Sequence, residues 1–420
     1  MENPERMRSD RFRYDCGGRA GRRSQAPRSP PRTVPVSKSP SPSAAAKKGE
    51  FHAYPWWSPR FWHGMPAGVW FGLLREYGYR IDFMKLGLAA TVSMMTGFNS
   101  LMGPLSDARF RRRLRDRPTT PPPLFIIGHW RSGTTLLHEL AMLDDRFCCP
   151  NTYECFAPSH FLLTEDVMTQ ALRWMIPSKR PMDDVAAGWD RPQEDEFALM
   201  SLGAPSCYRR IAFPVSSPAR PEALDLTKLP PAELERWKQT LRRFLAMLAV
   251  RDPRRPVLKS PPHTARVGVL AEMFPESRFL NVVRDPFVVI PSTLRLWKSL
   301  HDVQSLQVER GATLEEYVFA AFAEMHDAFE RDRATLLADR LHEVRYEELV
   351  ADPVGTLATC YERLDLGDFG RVRPALERQA ESMRRYRTNM YRHDPRLVAE
   401  IASRCKPFLD RYGYAAPAIG

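Results

Sequence analysis

From residue 120 onward, short apolar runs alternate with longer stretches in which apolar residues recur every three to four positions. The short runs predict strands at 124–128, 255–259, 278–284 and 342–346. The longer stretches predict helices at 133–144, 232–250, 264–274, 313–338 and 395–411. Strands that are separated by helices form parallel sheets with both faces covered. The pattern therefore predicts an α/β fold around a central parallel sheet.

The N-terminal part of the chain has a different pattern. Residues 1–50 are rich in Pro and Ser and carry twelve Lys/Arg against five Asp/Glu, which predicts a disordered basic tail. Residues 51–115 are aromatic and apolar, and 86–106 contain no charge. That length could span a bilayer. Thr, Ser, Asn and Gly interrupt it, however, so a buried or interfacial helical hairpin is the favoured interpretation. Residues 116–420 are predicted to form the α/β domain.

Composition narrows the classes of partner and compartment. The net charge of the 420-residue chain is +12, but the tail alone supplies +7, so no specific nucleic-acid binding is expected. Seven cysteines form no C-x-x-C pair and no zinc-like spacing, and no metal site is predicted. An odd cysteine count without a signal peptide favours a reducing compartment. We expect a cytoplasmic location, with peripheral contact at the cytoplasmic membrane face through 51–115.

The sequence GHWRSGTT at 128–135 joins the first predicted strand to a helix, as a phosphate-binding loop does. Glycines allow the backbone to wrap an oxyanion, the helix start presents amides, and arginine and hydroxyl side chains add donors. Thr134 stands where the lysine of a nucleotide hydrolase would be, and no strand ends in a convincing magnesium-binding acid. The loop is thus suited to an anion with less charge than a magnesium-bound triphosphate. Its candidate binding residues are Gly128, Arg131, Ser132, Gly133, Thr134 and Thr135.

The segment GHWRSGTTLL resembles the 5′-phosphosulfate loop of sulfotransferases, in the R-S-G-T-T form of bacterial and Golgi-type members. These enzymes use 3′-phosphoadenosine 5′-phosphosulfate (PAPS). The segment VVRDPFVVIPS is similar to the family's 3′-phosphate motif and supplies Arg284 and Ser292. Asp285-Pro286 should start a helix that Pro291 kinks. With later segments, including a basic stretch at 384–392, the likeness spans about 120–415. It implies a P-loop-like three-layer fold and sulfuryl transfer from PAPS to a hydroxyl, without a metal. Arg131 is then expected to be catalytic as well, since it should contact a group that becomes more charged during transfer.

The acceptor's proton needs a base, for which three candidates arise. Cytosolic members use the histidine of a K-T-H motif, but this chain has Lys259-Ser260-Pro261, which leaves Lys259 to stabilise the bridging oxygen and His263 nearby. Bacterial and Golgi-type members use a glutamate after the first helix, where Glu154 lies in an apolar stretch that would raise its pKa. Glu194 in RPQEDE is the second candidate and His263 the third. Asp and Glu in that segment also suit a helix start by themselves.

Two other functions and several acceptors remain open from the sequence. A nucleotide kinase or NTPase is disfavoured by the missing lysine and the missing magnesium carboxylate. A non-catalytic PAPS-binding, membrane-associated protein is compatible with the lost K-T-H histidine. The acceptor could be a lipid, a carbohydrate or a tyrosyl group.

Overall fold

The protein is described from a computed structural model. The described residues are 58–116, 121–172, 188–308, 313–383 and 394–417. The predicted tail at 1–50 and the basic stretch at 384–392 lie outside them, as do the first residues of the 51–115 segment.

Within the described residues, five parallel strands form one sheet, in the order β2-β3-β1-β4-β5. The strands are β1 Leu124–Ile127, β2 Phe147–Cys148, β3 Arg255–Lys259, β4 Arg278–Val283 and β5 Leu341–Arg345. Four of them lie where the apolar runs predicted strands. The pattern missed β2, because two residues are too few to show a period. The predicted α/β class with a central parallel sheet is confirmed.

Helices cover both faces of this sheet. They are α1 Ala67–Glu76, α2 Leu86–Arg115, α3 Thr134–Ala141, α4 Thr152–Phe156, α5 Phe161–Ala171, α6 Asp195–Ser201, α7 Arg209–Ala212, α8 Pro231–Arg251, α9 Val267–Met273, α10 Pro286–Gln304, α11 Thr313–Arg333, α12 Tyr346–Ala351, α13 Pro353–Leu364, α14 Arg373–Met383, α15 Pro395–Arg404 and α16 Lys406–Tyr412. The predicted helix at 264–274 begins as a 3-10 helix, Pro261–Arg266. The one predicted at 395–411 is two helices that meet at Cys405.

The alternation within β1 builds the three layers. Leu124 and Ile126 point into one core, which they share with α3 and α12–α14. Phe125 and Ile127 point into the larger core on the opposite face, with α6 and α8–α11. Both faces of the strand are fully buried, as expected of a central parallel strand.

The helical segment before the sheet belongs to the larger core. Trp62 and Trp70 are fully buried there, and α1 and α2 pack against each other. The amide of Asn99 on α2 donates to the carbonyls of His63 and Met65, at 2.6 and 2.9 Å. Across the described parts of the chain, we find no helix with the length and apolarity needed to cross a membrane.

Candidate active site

Three loops meet at the carboxyl edge of the sheet because β1 lies between β3 and β4. Ile126 pairs with Lys259 on one side, and Ile127 pairs with Asn281 on the other. The residues that follow these strands are therefore neighbours in space. Ligands of open α/β sheets bind at this edge, where the strand order reverses.

The loop after β1 needs its glycines. Gly128 has φ +136°, and a Cβ there would lie 2.6 Å from the carbonyl oxygen of Val282. Gly133 has φ +107°, and a Cβ there would collide with the Tyr346 ring. Arg131 also adopts a positive φ, +68°, although it is not glycine. A strained residue of this kind persists only where its surroundings hold it, which is typical of binding loops.

The donors of this loop fit an oxyanion. Helix α3 begins at Thr134, so the amides of its first turn have no acceptor inside the helix. The hydroxyl of Ser132 is buried and has no hydrogen-bond partner among the described residues. The amide of Gly128 donates to Thr264 Oγ1 at 2.7 Å, which fixes the loop to the turn after β3. Thr134 and Thr135 bring their hydroxyls to the same helix start.

Arg131 joins this loop to the second motif. Its Nε donates to Ser292 Oγ on α10 at 3.0 Å, and its carbonyl accepts from Arg284 Nη1 at 3.0 Å. The Arg284 guanidinium lies 3.8 Å from the centroid of the Tyr346 ring. Helix α10 starts at an Asp285 cap and continues through Pro291. The structure thus gathers the residues predicted for the 5′ and 3′ groups of the nucleotide in one corner.

Glu194 lies at the centre of a hydrogen-bonded chain that ends in the loop. Its Oε1 accepts from Lys259 Nζ at 2.9 Å, and its Oε2 accepts from the Tyr208 hydroxyl at 2.7 Å. Trp130 Nε1 in turn donates to the Tyr208 oxygen at 2.9 Å. Burial, together with the Glu194 charge, raises the pKa of Tyr208 well above its usual value, so the hydroxyl stays a donor. Lys259 is almost fully buried, whereas the Glu194 side chain remains 16% exposed.

A family model described as the sulfotransferase family matches residues 122–369. This span is more than half of the chain and contains both anion-binding motifs. The chain belongs to the sulfotransferase family. The identification made from the loop residues is thereby confirmed, and PAPS is the donor that the family uses.

Relatives in sequence agree with this identification, and solved structures share the fold. Omega-hydroxy-beta-dihydromenaquinone-9 sulfotransferase Stf3 of Mycobacterium bovis is 37% identical over 358 residues, which cover 85% of this chain and 92% of that protein. The protein of the same name from Mycobacterium tuberculosis matches equally. Sulfotransferase STF9 from Mycobacterium avium has a similar fold, with a TM-score of 0.60 at 18% identity, covering 85% of this chain and 98% of its own. STF1 from M. tuberculosis gives 0.53 at 17%, covering 74% and 85%.

The two residues that follow Glu194 in this sulfotransferase bind partners other than Lys259 and Tyr208. Asp195 accepts from Ser260 Oγ and pairs with His263 Nε2, both at 2.7 Å. Burial alone would raise the pKa of Asp195, but His263 and these hydrogen bonds lower it below its usual value. Glu196 forms a fully buried bidentate pair with Arg266. An imidazole as enclosed as that of His263 has no contact with solvent through which an acceptor could approach.

Glu154 lies on the same side of the site as Glu194, which we call the carboxylate wall, but its side chain caps its own helix. It is the third residue of the short helix α4, where its Oε2 accepts from the Asn151 amide at 2.8 Å. Asn151 Oδ1 accepts from the Glu154 amide at 2.9 Å, which completes a capping box. An isolated β-bridge between Asn151 and Pro192 joins the residue before α4 to the RPQEDE segment. Both predicted carboxylates are therefore brought to one side of the site, with Glu154 only 4% exposed.

Sequence reasoning missed Tyr208, Trp130 and Arg266. Each belongs to a pair whose partners are distant in sequence. Arg266 and Tyr208 lie in no motif, and Trp130 lies inside the 128–135 loop at a position without a donor role toward the anion. The only available signal was the crowding of three acids in RPQEDE, which require cations or donors if they are buried. Within the described residues, no group of three or more His, Cys, Asp or Glu side chains is arranged to hold a metal ion.

Proposed function

We propose that this sulfotransferase transfers the sulfuryl group of PAPS to the hydroxyl of a lipid, with Glu194 as the general base. The observation that carries the proposal is the contact of Glu194 with Lys259 on one oxygen and with the Tyr208–Trp130 chain on the other. That chain connects the carboxylate directly to the loop that would hold the sulfuryl donor.

The loop residues 128–135 would hold the 5′-phosphosulfate through first-turn amides and the Ser132 hydroxyl. Arg284 and Ser292 would hold the 3′-phosphate, since Arg131 already ties both to the loop. PAPS supplies the transferable sulfuryl group when it is bound. The positive ends of α3 and α10 and the nearby arginines stabilise its negative charge without any metal contact.

Glu194 is the base that best satisfies access and position. It is the partly exposed member of its acidic triplet, while Asp195 and Glu196 are fully buried and paired. Glu154, the first candidate from the sequence, uses its carboxylate to cap α4. Lys259 would donate to the oxygen between phosphorus and sulfur in the donor. That oxygen leaves with the nucleotide as its bond to sulfur breaks, the acceptor oxygen bonds to sulfur, and Glu194 takes the acceptor's proton. A positioned base of this kind contributes about 10²–10⁴-fold to the rate.

A lipid acceptor is favoured by the nature of the wall beside Glu194. Phe61 stacks on Phe197 of α6 with 4.1 Å between ring centroids, and Phe156 of α4 lies against the same ring of Phe61. The N-terminal segment thus lines the carboxylate wall with aromatic side chains. The M. bovis relative is by name a sulfotransferase for a hydroxylated menaquinone. A hydroxyl at the end of a hydrophobic chain is therefore the acceptor class to test first.

The donor assignment is tested by thermal shift. PAPS and its desulfated product at about 100 times the dissociation constant should each stabilise the protein by roughly 2.7 kcal/mol. ATP with magnesium should stabilise it far less, and equal stabilisation would contradict the donor assignment. Radiolabelled PAPS with omega-hydroxy-beta-dihydromenaquinone-9, a hydroxylated sugar and a tyrosyl peptide then tests the acceptor class. Labelling of the sugar or the peptide alone would overturn the lipid assignment.

A further inference from the structure

Helix α2 presents an uncharged face to solvent along most of its length. Every exposed position between 86 and 106 is uncharged, and the large apolar ones follow one stripe. Met94, Leu101 and Leu105 on this stripe are 72%, 66% and 51% exposed. At 1.5 Å per residue the stripe from Leu86 to Leu105 is about 29 Å long. Phe83 and Met84, just before the helix, extend it and are 87% and 85% exposed.

Exposed apolar side chains concentrate at this part of the molecule. Of the thirteen large hydrophobic side chains that are exposed in the described residues, eight lie between Phe71 and Leu105. The other five are scattered singly, as is normal for a protein surface. A contiguous apolar surface of this kind marks an interaction site.

The charge at one end of the stripe indicates what it binds. Five exposed arginines follow it in the last two turns of α2, flanked by Asp107 and Asp116: Arg109, Arg111, Arg112, Arg113 and Arg115. An apolar stripe with a basic end matches the boundary between acyl chains and anionic headgroups. We propose that the stripe, from Phe83 to Leu105, and this arginine cluster dock the enzyme onto an anionic lipid membrane.

Docking through the stripe would bring the active site to the membrane that contains the acceptor, and this step rests on the proposed lipid acceptor. The buried side of α2 packs on the segment that directly follows α4, where a Cβ on Gly103 would lie 3.5 Å from Ser159 Cβ. His160, the next residue, lies 3.0 Å from the Asn99 side-chain oxygen through its Nε2. The membrane-facing helix is thus fixed to the wall that carries both carboxylates.

Co-sedimentation with vesicles tests the docking. The full chain should bind phosphatidylcholine vesicles that contain phosphatidylglycerol and should bind pure phosphatidylcholine far less. Raising the salt from about 0.1 to about 0.5 M should weaken binding, because it shortens the Debye length. Replacing Arg111, Arg112 and Arg113 by Ala should weaken binding about fivefold per arginine.

Variants of the stripe and a matched control test whether the stripe is the surface that binds vesicles. Met94→Glu with Leu101→Glu should lower vesicle affinity at least about tenfold. Leu337→Glu with Val350→Glu, at exposed apolar positions far along the chain, should leave it unchanged. The proposal is overturned if wild type ignores anionic vesicles, if the stripe variant binds as well as wild type, or if ultracentrifugation shows the stripe holding two copies together without lipid. The assay contains no nucleotide or acceptor, so such a failure leaves the proposed catalysis standing.

Discussion

Replacing Glu194 by Gln isolates the proposed base from its structural surroundings. Gln can still accept one hydrogen bond from Lys259 or Tyr208, but it cannot take the acceptor's proton. Turnover should fall by about 10²–10⁴-fold, which corresponds to a barrier increase of roughly 2.7–5.5 kcal/mol. Affinity for the desulfated nucleotide should stay at or above the wild-type value, because Lys259 then has no carboxylate competing with the nucleotide.

The same substitution has a calculable effect on stability. It removes a charge-assisted hydrogen bond to the buried Lys259, which is worth about 1.5–3 kcal/mol. For the roughly 330 described residues the unfolding entropy is about 0.7 kcal/mol/K, so the nucleotide-free midpoint should fall by about 2–4 °C. Bound nucleotide should recover much of that loss by giving Lys259 an anionic partner.

Glu154→Gln is the matched control. Gln is also found at the third position of capping boxes, so α4 should keep its cap and the protein its midpoint. Under our assignment this variant turns over at a rate near wild type. Turnover with radiolabelled PAPS and lipid acceptor, together with thermal scans with and without nucleotide, measures both effects. An active Glu194→Gln enzyme beside an inactive Glu154→Gln enzyme would refute the reasoning and return the base to Glu154.

Three further outcomes are expected. Glu196→Gln leaves the buried Arg266 without its counter-charge, which costs about 3–5 kcal/mol, so scanning calorimetry should show a midpoint about 4–7 °C lower; an unchanged midpoint would contradict a buried charged pair. Arg284→Ala should weaken PAPS binding about 10–100-fold, and calorimetric titration should show that the variant no longer prefers PAPS over adenosine 5′-phosphosulfate, which lacks the 3′-phosphate; a retained preference would move that site elsewhere. Burial lowers the pKa of three histidines to about 4: His63, His129 and His160. As the pH drops from 6.5 through 4, these histidines take up protons in the unfolded chain before they do so in the folded one, so urea unfolding should show a falling stability. A flat profile would argue against buried, neutral histidines.

The sheet and the anion loop could be predicted from the sequence because both depend on patterns among residues that are close together in the chain. Each of the four longer strands is an apolar run, and the glycines of 128–135 stand where the backbone turns and meets neighbouring atoms closely. Hydrophobic periodicity and glycine placement depend on residues a few positions apart, so one chain suffices to read them. The family likeness, which rests on the same loop, was predictable for the same reason.

The roles within RPQEDE were decided only by tertiary structure. Asp195 and Glu196, the first residues of α6, point in directions about 100° apart, and Glu194 precedes them with an extended backbone, so the three face different surroundings. Which of them meets Lys259, His263 or Arg266 depends on how α6 lies against the turn after β3, some 65 residues further along the chain. The sequence determined that three acids would start this helix. Packing determined that Glu194 stays accessible beside the loop while Asp195 and Glu196 are enclosed. A buried carboxylate is stable only where a cation or hydrogen-bond donors contact it.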